Sequence, residues 1–220
     1  MGLSERRRQT KLCFLTPSHK DIKPLAVPIS EVEQDQTKKT DWILRPAAKN
    51  DIPQMAELIP RSSFVLQKDD YTPEQINAAL GPVFGVDEQL IEDGTYYVVE
   101  ENGKIIGCGG WSFRKSLFGG SEGRVDPELD PKTDPARIRA YFVDPAHARK
   151  GVATAIMNRC EEALAEMGFT RVEISATLAG EPFYARFGYE SIERYHIPLD
   201  GAPPMEVVKM TKNHSSSQTP

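Results

Sequence analysis

The sequence predicts a mixed α/β domain, and three observations carry that expectation. Short β-branched and aromatic runs alternate with apolar segments at helical spacing instead of clustering by type. Thr95-Tyr96-Tyr97-Val98-Val99-Glu100 and Lys104-Ile105-Ile106-Gly107 flank Asn102-Gly103, a pair that supplies the positive φ angles of a tight hairpin. A further strand, 137–143, runs through Asp144-Pro145 and a basic glycine loop into a long amphipathic helix.

In chain order, residues 1–40 are polar and irregular and read as a flexible extension, and 41–212 read as the domain. Residues 213–220, with Ser215-Ser216-Ser217, read as a disordered tail. Trp42-Ile43-Leu44-Arg45 is a strand stopped by Pro46. Asn50 is placed to cap a helix carrying Ile52, Met55, Leu58 and Ile59 on one face. A second helix opens at Thr72-Pro73-Glu74-Gln75, with a cap residue, a first-turn proline and a capping-box Gln. The hairpin extends to 112, and residues 114–136 form a connection rich in Gly, Pro and Asp without periodicity, long enough to suggest a functional loop. The helix from Val152 to Met167 repeats Val152, Ile156, Cys160, Ala163, Leu164 and Met167 at helical spacing, and Gly168 is placed to end it. Arg171–Ser175 is a strand, Glu181–Arg186 a short helix ended by Gly188, and Met205–Met210 a last strand. Ile197–Pro204, rich in proline, is expected to border a functional site together with 114–136.

Bulk properties narrow the function. A chain of 220 residues holds one sizeable core. A net charge of −5 argues against nucleic acid as a partner. Cys13, Cys108 and Cys160 are too few and scattered for a disulfide framework or a zinc cluster, which points to a reducing, cytoplasmic setting. His19, His196 and His214 lack metal-ligand spacing, so no metal is expected. No apolar run approaches about 18 residues, so no membrane span is expected. Arg6-Arg7-Arg8 without an apolar stretch is not a secretory signal, and Arg6 breaks the myristoylation pattern after Met1-Gly2.

The segment Asp144-Pro145-Ala146-His147-Ala148-Arg149-Lys150-Gly151-Val152-Ala153-Thr154 carries the chemistry. A helix N-terminus presents unpaired N–H groups and positive dipole to an anion. Arg149 and Lys150 add charge there, and Gly151 lets a ligand approach the backbone. Neither the Gly-Lys-Ser/Thr phosphate loop nor the Gly-x-Gly-x-x-Gly dinucleotide pattern is present. The basic pair suits a pyrophosphate better than a carboxylate.

This segment resembles motif A of the GCN5-related N-acetyltransferases, Gln/Arg-x-x-Gly-x-Gly/Ala, with Gly151 and Ala153 at the small positions and Ala148 in place of Gln/Arg. Phe183-Tyr184-Ala185-Arg186-Phe187-Gly188-Tyr189 is similar to motif B of the same family, Phe-Tyr-x-x-x-Gly-Phe. The family's Asn ahead of that Tyr is Thr177 here. Leu44-Arg45-Pro46-Ala47 looks like its first strand, and the likeness covers roughly residues 42 to 211. It implies a mostly antiparallel central sheet, flanked by helices, with a central strand pair splayed apart after about Phe142.

It further implies acetyl-CoA as co-substrate and no metal. Backbone groups of Phe142 and Val143 would meet the pantetheine arm. Amides from Arg149, Lys150, Gly151, Val152, Ala153 and Thr154 would meet the pyrophosphate, with Thr177 nearby. Tyr184 would donate to the leaving thiolate; a phenol of pKa ~10 is protonated at neutral pH. The acceptor would be a small-molecule or peptide amine attacking the thioester directly. Glu100, Glu101, Glu173, Asp134 and His147 are candidate bases, none of them marked by spacing. A non-catalytic acyl-CoA-binding module and a plain phosphate-ligand protein remain open alternatives. A homodimer is compatible with the sequence, which contains nothing that tests it.

Overall fold

The computed structural model describes residues 41–115 and 127–213; the extension 1–40, the tail 214–220 and residues 116–126 of the long connection lie outside the described residues. The elements are β1 (Trp42–Pro46), α1 (Ile52–Leu66), α2 (Pro73–Ala79), α3 (Glu88–Glu92), β2 (Tyr96–Glu101), β3 (Lys104–Ser112), β4 (Ala136–Val143), α4 (Val152–Glu166), β5 (Arg171–Thr177), α5 (Glu181–Ala185), β6 (Glu190–Leu199) and β7 (Ala202–Asn213). The strands form a 7-stranded sheet in the order β1-β2-β3-β4-β5-β7-β6. Among these seven strands, only β4 and β5 pair in parallel.

Both faces of the sheet are covered, which is why the central strands read as continuous apolar runs rather than alternating ones. Val98, Ile105 and Cys108 face Met55, Leu58, Ile59 and Ile76 of α1 and α2. Their neighbours Val99 and Ile106 face the opposite way, toward Val152, Ile156, Cys160 and Leu164 of α4. Burial pushes the Cys108 and Cys160 thiols up to about 12, so both pack as small hydrophobes. Among the described residues no helix is long and apolar enough to cross a membrane.

The hairpin forms where Asn102-Gly103 places it, with φ of 51° and 77° at the two turn residues. The start of α1 differs from expectation. Asn50 lies in a short 3₁₀ turn and does not cap the helix. Asp51 instead accepts the Ala48 N–H at 2.8 Å and the Arg45 guanidinium at 2.7 and 2.9 Å. That guanidinium holds the Asp51 carboxyl below its ordinary range. Two elements were not expected, α3 and β6. The five residues of α3 span too few apolar repeats to show a period. β6 carries Glu190, Glu193 and Arg194 on an exposed edge and is a strand because β7 pairs with it. Its partner β7 runs on through Asn213, one residue into the expected tail.

The feature that positions a site is the divergence of β4 from β5. They pair only at Ala136↔Val172, Arg137↔Glu173 and Ile138↔Ile174. The splay therefore starts after Ile138, earlier than the expected Phe142. Its cause is a β-bulge, since the β3 register steps from Gly110↔Arg139 to Cys108↔Phe142. That step leaves Ala140 and Tyr141 opposite Gly109, with Ala140 at φ 59°. A bulge bends its strand and sharpens the local twist, turning β4 away from β5. Gly109 tolerates it because it lacks a Cβ, which would sit 2.7 Å from the Tyr141 ring.

Candidate active site

At its C-terminal end β4 runs into the basic loop. Asp144 Oδ1 accepts the Ala146 N–H at 2.9 Å, and Oδ2 receives Arg61 of α1 at 2.8 Å. Burial alone would raise this carboxyl, but Ala146, Arg61 and Lys104 hold it below its ordinary value. His147 Nε2 lies 3.0 Å from Glu101 Oε2 on the hairpin. These contacts brace the loop, and the two residues after Ala148 are left outward. Arg149 and Lys150 are exposed, and neither has an ion-pair partner among the described residues.

Gly151 opens α4 at φ 92°, and the Ala155 N–H is bonded to its carbonyl at 2.9 Å. The N–H groups of Val152, Ala153 and Thr154 therefore precede the helical ladder. The Val152 side chain itself is buried, and packs so closely on β3 that a Cβ at Gly107 would lie 2.4 Å from its Cγ1. Only its backbone can serve a ligand. Arg149, too, takes a left-handed φ, 64°, an uncommon conformation for a side-chain-bearing residue.

The expected free backbone at Phe142 and Val143 is corrected in part. Asp144 N–H donates to Ile106 O at 2.8 Å. The polar groups of Phe142, two residues back, therefore point to β3 as well, opposite Cys108. Those of Val143 point the other way, and its N–H donates to Ser62 Oγ of α1 at 3.2 Å.

Between the diverging strands lies a cavity walled by Arg139 to Phe142 of β4, Ile174 to Thr177 of β5, Tyr184 and Asp87. Phe142, Thr177 and Tyr184 thus share one space, whereas Val143 and the 149–154 loop lie outside its lining. Thr177 Oγ1 accepts the Gly180 N–H at 3.2 Å and so shapes the turn into α5. Gly180 sits close under the phenol, and a Cβ there would lie 3.1 Å from the Tyr184 ring. The Tyr184 ring packs edge-on against Phe183, Tyr141 and Tyr189. Burial pushes its phenol above the ordinary value, so it is a donor throughout the neutral range. No hydrogen-bond partner of its hydroxyl is present among the described residues.

None of the expected bases reaches this cavity. Glu100 is taken by Arg45, Glu101 by His147, and Glu173 by Arg137 and Lys209. Asp134 accepts the Asp130 N–H. The carboxylate in the cavity wall is Asp87, which the sequence reading missed. Its Oδ1 accepts the Leu90 N–H at 3.3 Å as the cap of α3. Its Oδ2 lies 2.8 Å from Arg139 Nε of β4, off the N–H direction. Desolvation raises its carboxyl, with Arg139 opposing. An Asp three residues ahead of Leu90 was readable as a helix cap; its burial was not.

A parallel strand pair that splays around a cavity, with a basic loop leading from its first strand into a helix, defines the α/β fold class. The acetyltransferase (GNAT) family model matches residues 53–189, and the chain belongs to that family. A curated relative, an uncharacterised N-acetyltransferase of Escherichia coli K12 called YafP, is 28% identical over 71 residues. That match covers 30% of this chain and 44% of the relative, so less than half of that protein's length is spanned. A GCN5-related N-acetyltransferase structure from Rhodopseudomonas palustris superposes with TM-score 0.60 at 20% identity, over 79% of this chain and 96% of that one. The PaiA N-acetyltransferase of Thermoplasma acidophilum, solved with coenzyme A, gives TM-score 0.55 at 12% identity, over 80% and 100%. The protein yncA of Salmonella typhimurium, solved with acetyl-CoA, gives 0.56 at 14%, over 82% and 98%. These likenesses define the fold.

Proposed function

We propose that this chain transfers an acetyl group from acetyl-CoA to a primary amine of a small molecule or peptide. The observation that carries the reading is the cleft itself. It opens at the β4 bulge and has a phenol in its wall, and the loop that follows β4 carries helix amides ahead of the ladder and two cations without an ion-pair partner among the described residues. The chain's parts fit the co-substrate at both extremes. The amides of Val152 to Thr154, with the Arg149 and Lys150 side chains, suit a pyrophosphate, while the Lys150 N–H donates to His147 O at 3.4 Å. The apolar aromatic surroundings of Tyr184 suit a thioester.

Acetyl-CoA supplies the activated acyl group. The protein aligns an amine beside it, which removes much of the entropic barrier to attack. Val143 would offer its backbone to the pantetheine arm once Ser62 yields its N–H. Tyr184 would donate a hydrogen bond to the departing thiolate. Its raised pKa favours this hydrogen-bonding role over complete proton transfer, because a thiol of pKa ~8.5 is the stronger acid. The assay is thiol release from acetyl-CoA with free amino acids, polyamines and peptides. Amine-dependent release supports the reading. A thermal shift with acetyl-CoA but no turnover would leave a binding module, and no shift at all would sink the coenzyme assignment.

A further inference from the structure

We infer that Asp87 is the proton acceptor for the attacking amine and that Arg139 tunes it; the inference rests on the acetyl-transfer reading above. Asp87 and Tyr184 line the same cavity from different elements. One carboxylate oxygen of Asp87 is committed to the backbone of α3, through Leu90 N–H. The other, Oδ2, meets a cation at contact distance without an aligned hydrogen bond. A buried carboxylate is costly unless its oxygens are satisfied, and this one is 2% exposed. Asp87 Oδ2 has no hydrogen-bond donor among the described residues, and an amine N–H would complete its hydrogen bonding.

The groups facing Asp87 are Arg139 of β4, Asp93 at the end of α3 and the Tyr96 phenol of β2. Arg139 stabilises the charged form, while burial and Asp93 oppose it. The result is a carboxyl shifted upward, toward the pH at which a base must work. In the reaction the amine lone pair forms the new C–N bond to the thioester carbon. The nitrogen's excess proton passes to Asp87 Oδ2, directly or through one water. The C–S bond then breaks, its electron pair leaves on the sulfur against the Tyr184 hydroxyl, and the thiolate takes a proton from solvent. Asp87 returns its proton to solvent, so the balance closes.

The test is the pH profile of kcat, followed by thiol release from acetyl-CoA with the fastest amine of the panel. Asp87→Asn is expected to lower kcat by ~100-fold and flatten its acid limb, with Asp87→Glu restoring part of both. Coenzyme A affinity and melting temperature measure folding separately. Arg139→Met covers the case in which the Asn variant does not fold. Losing the cation raises the carboxyl's pKa, so the acid limb moves to higher pH. An active wild type with both profiles unmoved overturns the role of Asp87 alone. A wild type that releases no thiol with any amine overturns the activity and this inference together.

Discussion

In the loop into α4 the proposed binding chemistry belongs to the backbone, whereas in the cavity wall near α3 it belongs to side chains. The first end needs one glycine at φ 92°, three uncovered amides and two exposed cations, all within residues 149–154. The second gathers Asp87, Arg139, Thr177 and Tyr184 from α3, β4, β5 and α5, residues far apart in the chain. A contiguous loop can change a side chain and keep its amides, which is how Ala148 can replace Gln/Arg without removing the site. An assembled wall has no such redundancy. Each of its groups is reached by packing, so each substitution acts on shape as well as chemistry.

The largest way to break this contrast is Gly151→Glu. No atom lies within 4 Å of the added Cβ, so the fold has room for it. A left-handed side chain costs about 1–2 kcal/mol and a carboxylate beside phosphate adds repulsion. Coenzyme A affinity should fall by at least ~100-fold, and calorimetry showing unchanged affinity would remove the pyrophosphate from this loop. Next, Tyr184→Phe deletes a hydrogen bond to a developing charge, worth roughly 1.5–3 kcal/mol. Turnover should drop ~10- to 100-fold with coenzyme A binding intact; unaltered turnover would return Tyr184 to the core as packing alone.

Gly107→Ala probes the joint between the two ends, where the new Cβ would lie 2.4 Å from Val152 Cγ1. Pushing α4 off β3 should cost about 1–3 kcal/mol in denaturant melts and weaken coenzyme A binding too. A neutral melt would mean that α4 is not seated on β3. The smallest effect is expected from Arg149→Gly, which relieves a φ of 64°. Glycine's unfolded-state entropy offsets most of that relief, so the net gain is about 0.5 kcal/mol. Coenzyme A affinity should still fall several-fold from the lost charge, about 0.5–1 kcal/mol. Tighter binding would show that Arg149 holds nothing.

Legibility follows the same division. The hairpin, α2 with its capping box, and the loop into α4 were all readable because turn chemistry and caps act within a few residues. The α5 turn was readable through Gly188, whose φ of 82° lets Tyr189 N–H reach the Tyr184 carbonyl at 3.2 Å. α3 and β6 were not, since one is too short for a period and the other is an edge held by its neighbour. The bulge at Ala140 was invisible for a related reason. Nothing in Arg139-Ala140-Tyr141 demands it, and it exists because β3 offers a Gly opposite.

The sequence by itself determined the basic loop proposed to hold an anion, because glycine freedom, helix amides and fixed charges are local properties of a short segment. It also determined the position of Tyr184, through the pattern that closes at Gly188. Only the tertiary structure decided where β4 leaves β5, that Ser62 takes the Val143 N–H, and that Asp87 is the carboxylate in the wall. Those are outcomes of burial. A carboxylate's pKa and partners depend on which strands and helices enclose it, and that enclosure is set by packing among residues distant in the chain.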